Sequence, residues 1–188
     1  MLEDKEKWNK KYSQENFPWQ DASKIVKEFY SLAPKGKALD LACELGRNSI
    51  FLAEKGFYVD AVDISDIALK NLKNKKNINP VEADLDFYNI EQNKYSLIVN
   101  INYLNRRLIP QIKEGLIKGG VVIFETFVLC NEKGVFQPKN KDFLLRKNEL
   151  IHLFLDMQIV FYSEKTVEKP NGEKACVSSL VAKKECLF

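Results

Sequence analysis

Histidine is nearly missing from this chain: His152 is the single copy among 188 residues. The four cysteines, Cys43, Cys130, Cys176 and Cys186, form no CxxC pair. So few ligands at such spacings argue against a zinc site, and the scattered cysteines argue against a disulfide framework. They read as reduced thiols, some of them buried as small apolar groups. Long apolar runs are lacking too, and a stretch such as Val121–Phe124 is far too short to span a bilayer. The opening Met1-Leu-Glu-Asp-Lys-Glu-Lys is charged where a secretory signal would be apolar. The expectation is a cytoplasmic protein without a membrane partner. An excess of either charge is also missing: 29 basic and 26 acidic residues leave a net charge of +3, too mild to imply nucleic acid. Lys70, Lys73, Lys75 and Lys76 cluster where a helix should end, which reads as solvated cations against the helix dipole.

What the chain does have is a regular alternation of short apolar runs with helical stretches, the pattern of β-α units and a largely parallel sheet. Lys37–Ala42, Tyr58–Ile64, Asn77–Ala83, Tyr95–Ile101 and Val121–Val128 read as five strands. Helices are expected over Arg47–Lys55, after Ser65 as N-cap, around Pro110 in a first turn, and near Glu149–Phe154. Ile109, Ile112 and Leu116 should give the Pro110 helix its core face, with Gly119–Gly120 stopping it. The last two strands, Met157–Ser163 and Ala175–Ala182, are joined by a loop with Pro170-Asn171-Gly172 and no helix, so they should pair antiparallel. The fold class is therefore α/β: a Rossmann-like, doubly wound, mostly parallel sheet of seven strands with a terminal antiparallel hairpin. One domain over 1–188 is expected, with an N-terminal segment 1–33 and a core 34–188.

The chemistry is concentrated in Lys37-Ala-Leu-Asp-Leu-Ala-Cys-Glu-Leu-Gly-Arg-Asn-Ser49 and in Val59-Asp-Ala-Val-Asp-Ile-Ser65. The first ends a strand in a tight turn and enters a helix, exposing backbone N–H groups and the positive helix end to a ligand. The second ends the next strand with Asp63, placed to accept hydrogen bonds from two ribose hydroxyls. An adenosine-type ligand across the first two strands is the expectation.

These residues resemble the class I S-adenosylmethionine-dependent methyltransferases, and more narrowly the small bacterial tellurite-resistance-like group. The family pattern D-x-G-x-G-x-G, often extended to GRNS, stands here as Asp40-Leu-Ala-Cys-Glu-Leu-Gly46 followed by Arg47-Asn48-Ser49. Trp8-Asn-Lys-Lys-Tyr12, Asn102–Pro110, Gly119–Phe127 and Phe143–Arg146 carry the resemblance along nearly the whole chain. It implies S-adenosylmethionine as cofactor, held around the methionine part by Asp40, Ala42, Glu44, Gly46 and Arg47. It implies Asp63 on the ribose, Ile64 on the adenine face, Asp84 with Leu85 at the adenine amino group, and Asn100 near the reacting methyl. Two expected glycines are replaced, by Ala42 and Glu44. Glu44 puts a carboxylate, and a residue without glycine's freedom, where backbone approaches the ligand. A cofactor-binding protein without turnover is thus the alternative to an enzyme.

On the acceptor side, Glu125, Tyr103 and Arg106 are the catalytic candidates, with Arg107 beside them. Glu125 reads either as a functional acid or as half of a structural ion pair. Asn100-Ile-Asn-Tyr103 stands where amino-directed nucleic-acid methyltransferases carry Asn or Asp before Pro-Pro and an aromatic, which favours a small-molecule substrate. Trp8, Tyr12 and Trp19 form either a lid or an anchor for the N-terminal segment. His152 reads as a packing or surface residue. A monomer or homodimer is expected.

Overall fold

The computed structural model describes residues 2–13, 21–168 and 172–185. Trp19, Pro170, Asn171 and Cys186 lie outside the described residues. The first strand, β1 (Lys37–Leu41), runs parallel to β2 (Tyr58–Asp63) on one side and to β4 (Tyr95–Ile101) on the other. β3 (Ile78–Glu82) extends the sheet beyond β2, and β5 (Leu116–Phe127) extends it beyond β4, both parallel. β8 (Lys174–Lys183) then runs antiparallel to β5, and β7 (Gln158–Glu168) pairs antiparallel with the other edge of β8. A two-residue strand, β6 (Val135–Phe136), adds to the seven expected by pairing with the start of β8. The chain thus winds outward in both directions from β1 and β4, which leaves a crevice at their carboxyl ends.

The central strands are apolar on both faces because helices cover both. On one face Leu39, Ile98, Val122 and Phe124 pack with Leu108, Ile109 and Ile112 of α5 (Leu108–Gly115) and Leu150 of α6 (Glu149–Leu153). On the other, Ala38, Val99, Val121 and Ile123 pack with Ile25 and Val26 of α2 (Lys24–Phe29) and Leu52 of α3 (Arg47–Glu54). A smaller cluster of Cys43, Ala61, Leu69 and Leu72 seats α4 (Asp66–Lys70) beside the turn that follows β1. Ser65 caps α4, its hydroxyl accepting the Ala68 amide, as its position before a helical apolar pattern requires. Among the described residues, no helix is long and apolar enough to cross a membrane.

Two expectations are corrected. α5 stops at Gly115, and Leu116 belongs to β5, so Gly119–Gly120 do not end a helix. They lie inside β5, where the register with β4 jumps from Tyr95–Leu116 to Leu97–Val121. The pair exchanges backbone hydrogen bonds with Lys184, and a side chain on Gly120 would meet Ile117 O at 2.9 Å and Tyr95 O at 3.1 Å. A bulge and a helix stop both call for glycine, so sequence alone does not separate them.

The second correction concerns the cysteines: Cys130 and Cys176 are joined in a disulfide. The pairing follows from register, because Phe127 faces Val177 and the Val128 amide donates to Cys176 O. That brings the segment after β5 alongside the start of β8, with the two Cα atoms 6.3 Å apart. Closing a loop of this length restricts the unfolded chain, and Cys176→Ser should lower unfolding stability by about 2 kcal/mol in urea titrations without reductant. With excess dithiothreitol, variant and parent should converge. Cys43 remains a buried thiol, pushed up by burial.

Candidate active site

The turn from β1 into α3 holds three residues in the left-handed region: Ala42 at φ 52°, Glu44 at φ 56° and Gly46 at φ 81°. Only the last is glycine, so the backbone expected for the glycine-rich turn is kept without two of its glycines. Each non-glycine residue there costs on the order of 1–3 kcal/mol and persists only because its surroundings fix it. Those surroundings are visible. The Cys43 amide donates to Val62 O at 3.0 Å, and the Gly46 amide to Cys43 O at 2.9 Å. The Glu44 amide donates to Asp63 Oδ2 at 3.0 Å.

The Arg47-Asn48-Ser49 extension works locally. Ser49 Oγ donates to Asp40 Oδ2 at 2.6 Å, and Asn48 Oδ1 accepts the Ser23 amide at 2.9 Å, tying the segment before α2 to the start of α3. Arg47 sits 4.0 Å from the Glu44 carboxylate. Asp40 is buried, and its carboxyl is pushed up to about 7, by burial first, while the Ser49 hydrogen bond opposes the rise. Asp63 at the end of β2 is also buried and raised, to about 6, by loss of solvent and then by Glu44, against the amides of Ser65 and Glu44 that hold it down. Its Oδ1 accepts the Ser65 amide at 2.9 Å. The Ile64 amide adds to the two that hold the carboxylate down.

α1 (Leu2–Tyr12) docks over this corner. Asn9 bridges it, its amide donating to Asp66 Oδ1 at 2.9 Å while its carbonyl accepts from Ser65 Oγ at 2.6 Å. Lys5 pairs with Glu82 at 2.5 Å and with Asp66 at 3.4 Å. Tyr12 is 8% exposed, and its phenol is pushed up by burial and then by the Glu44 and Asp63 carboxylates, which places it beside the turn. Trp8 stacks on Tyr12 with ring centroids 5.7 Å apart. The contribution of Asn9 was not singled out from sequence, although Trp8-Asn-Lys-Lys-Tyr12 pointed to the segment.

Farther along the crevice, Ile64 is half-buried after β2, and Asp84 turns its Oδ1 to the Asp86 amide at 2.9 Å. Leu85 packs in the core. Asn100, 1% exposed at the end of β4, donates to Tyr103 O at 2.7 Å. The Tyr103 phenol is pushed up to about 12, chiefly by burial. Glu125 is half-buried and accepts from Ser179 Oγ at 2.6 Å across the β5–β8 pair.

The two arginines after β4 are engaged. Arg106 grips Glu149 with two donors, at 2.6 and 3.1 Å, and donates to Asp142 O and Leu144 O. Arg107 donates to Leu85 O at 2.8 Å and Tyr88 O at 2.6 Å. A cleft of about 600 Å³ lies beside Arg106, lined also by Leu129, Leu144, Lys141, Arg146 and Glu149. Arg106 braces its wall. His152 is exposed in the last turn of α6, and no group of His, Cys, Asp and Glu among the described residues could hold a metal ion.

A mostly parallel sheet with β8 reversed between β5 and β7, and a tight turn facing an acid at the end of β2, define a Rossmann-like domain of methyltransferase topology. The chain belongs to the family described as tellurite resistance protein TehB, which it matches over residues 1–175. It is 30% identical over 183 residues to the probable S-adenosyl-L-methionine-dependent methyltransferase TehB of Haemophilus influenzae, covering 88% of this chain and 60% of that protein. The chain therefore spans about 60% of the length of the curated TehB relatives it matches. The crystal structure of TehB from Haemophilus influenzae superimposes with a TM-score of 0.75 at 26% identity, covering 95% of this chain and 67% of the other. A methyltransferase structure from Methanosarcina mazei shares the fold, with a TM-score of 0.66 at 18% identity over 88% of this chain and 99% of that one.

Proposed function

We propose that the chain is an S-adenosylmethionine-dependent methyltransferase acting on a small-molecule acceptor. The observation that carries this reading is the acid Asp63 at the end of β2, facing the turn Asp40–Gly46 and joined to it through the Glu44 amide. The residues fit an adenosyl cofactor. Asp63 is held at the crevice by the Glu44 and Ser65 amides as an acceptor for ribose hydroxyls, the turn has the left-handed residues that a close backbone approach calls for, and the crevice lies at the switch point beside β4. In this reading Asp40, Ala42, Glu44, Gly46 and Arg47 surround the methionine part. Asp63 holds the ribose, Ile64 packs on the adenine, and Asp84 with Leu85 lies at its amino group. Asn100 lies near the methyl. α1 covers the site, with Tyr12 as its inward residue.

A cofactor held by Asp63 and the turn from Asp40 to Arg47 would supply a methyl group made electrophilic by its sulfonium, for the lone pair of the acceptor. The protein's work is then in-line positioning and exclusion of water. Where the acceptor must lose a proton, Glu125, oriented by Ser179, is the base, because the raised Tyr103 phenol stays protonated near neutral pH. Tyr103 and the braced Arg106 shape the acceptor side.

Isothermal titration with S-adenosylmethionine and S-adenosylhomocysteine, with NAD as control, tests the reading. Micromolar binding of the adenosyl ligands and none of NAD is expected. Mass detection of methylated product across an acceptor panel that includes tellurite then tests turnover. Binding without product would leave a cofactor-binding module rather than an enzyme.

The raised carboxyls set opposite pH trends for binding and stability. Ribose hydroxyls need an ionised Asp63, so affinity should fall about tenfold from pH 7.5 to pH 5 with a group titrating near 6. Stability of the unliganded protein runs the other way. Asp40 and Asp63 titrate higher in the folded chain than in the unfolded one, so the folded state binds more protons between about pH 4 and 7. Their contribution is fully present below that window and is lost as pH rises through it. The urea midpoint should be higher at pH 5.5 than at pH 8; a midpoint that rises with pH would contradict the buried-carboxyl account.

A further inference from the structure

Glu44 is the feature of this site that the general reading leaves unexplained. It stands in a left-handed conformation, at φ 56°, that a glycine would adopt freely. Its side chain is 27% exposed, at the mouth of the turn rather than out in solvent. It raises the protonation equilibria of Asp40, Asp63 and Tyr12, so its charge is felt at the end of β1, the end of β2 and the end of α1. The Arg47 guanidinium lies 4.0 Å from it, at the limit of an ion pair, and lowers the Asp40 equilibrium that Glu44 raises.

We propose that Glu44 makes the site selective for a cationic ligand, favouring the sulfonium donor over the neutral thioether left after methyl transfer. The proposal rests on the adenosyl-cofactor reading. S-Adenosylmethionine carries an ammonium, a carboxylate and a sulfonium, for a net charge of +1. S-Adenosylhomocysteine keeps the first two and loses the third, for a net charge of zero. The two differ by one methyl group, which uniform contacts with adenine and ribose do not discriminate. A fixed carboxylate within several ångströms does, because it attracts the charge that is present in one ligand and missing in the other. At the effective dielectric of a half-buried site, such a charge is worth on the order of tenfold in affinity after screening. The consequence for turnover is release of the product, which otherwise occupies the same contacts as the donor. A left-handed non-glycine residue held in place by the Asp63 hydrogen bond is the kind of strain that accompanies a functional demand.

The test is titration calorimetry of the full chain, Glu44→Gln and Glu44→Gly with three probes: S-adenosylmethionine, S-adenosylhomocysteine and sinefungin, whose amine keeps a positive charge without a sulfonium. The parent should bind both cationic ligands about tenfold more tightly than S-adenosylhomocysteine at low salt, with the preference shrinking at high salt. Glu44→Gln should bring the three affinities together by weakening the cationic ligands. Glu44→Gly should do the same while raising the urea midpoint, because glycine relieves the strained φ and secures a folded variant. An unchanged preference in both variants overturns the proposal. Equal tightening of all three ligands also overturns it, showing that Glu44 merely repels the ligand carboxylate common to them. Failure of parent and variants to bind any of the three overturns the cofactor reading itself.

Discussion

Replacing Asp63 with alanine should abolish measurable S-adenosylmethionine binding, a loss of more than a hundredfold in affinity. The carboxylate ends β2, is buried, and accepts the Glu44 amide on Oδ2 and the Ser65 amide on Oδ1. Those amides fix its plane, so the acceptor is aimed before any ligand arrives. Two hydrogen bonds from ribose hydroxyls to an ionised acceptor contribute about 1.5–3 kcal/mol each, and their combined loss exceeds a factor of a hundred. Alanine also frees the Glu44 amide and loosens a turn already strained at residues 42 and 44. Asp63→Asn is the finer probe. Its carbonyl can still accept one amide, but its NH2 cannot accept from a hydroxyl, so binding should remain far below the parent while the fold stays intact by circular dichroism. Asp63→Ala binding within threefold of the parent would remove the acid from the site.

Much of this arrangement was legible in the sequence, and the reasons are local. β1 ends one residue past Asp40 and β2 at Asp63 because apolar runs stop and turn signals begin, and Ser65 caps α4 because its hydroxyl can reach the Ala68 amide. The closing hairpin was readable because the stretch between residues 163 and 175 has no helical period. What escaped was tertiary. Gly119 and Gly120 are consistent with a helix stop until β4 and Lys184 come into place around them. Cys130 and Cys176 are 46 residues apart, and only the β5–β8 register brings them together. Arg106 and Arg107 read as acceptor-side candidates because the carbonyls and carboxylate they bind come from distant segments. Asn9 lies 56 residues from Ser65, and nothing local marks the two as partners.

The largest expected loss of stability comes from Gly46→Ala. Gly46 stands before α3 at φ 81°, a conformation that costs a residue with a side chain roughly 1–2 kcal/mol. Space is the second constraint. A Cβ there would lie 2.3 Å from Leu72 Cδ2 and 2.7 Å from Cδ1. Leu72 is fully buried against Cys43, Ala61 and Leu69, and so has nowhere to retreat without moving α4 from the sheet. Forcing an atom into such a core costs about 1–3 kcal/mol more, for a total near 4 kcal/mol in urea unfolding. Gly56→Ala separates the two causes. Gly56 has φ 88° but nothing within 4 Å of its missing Cβ, so it should show the conformational cost alone, about 1 kcal/mol. Equal losses for the two variants would rule out the packing contribution. A larger loss at Gly46 would instead show that the close approach of this turn to Leu72 adds a packing cost to the conformational one.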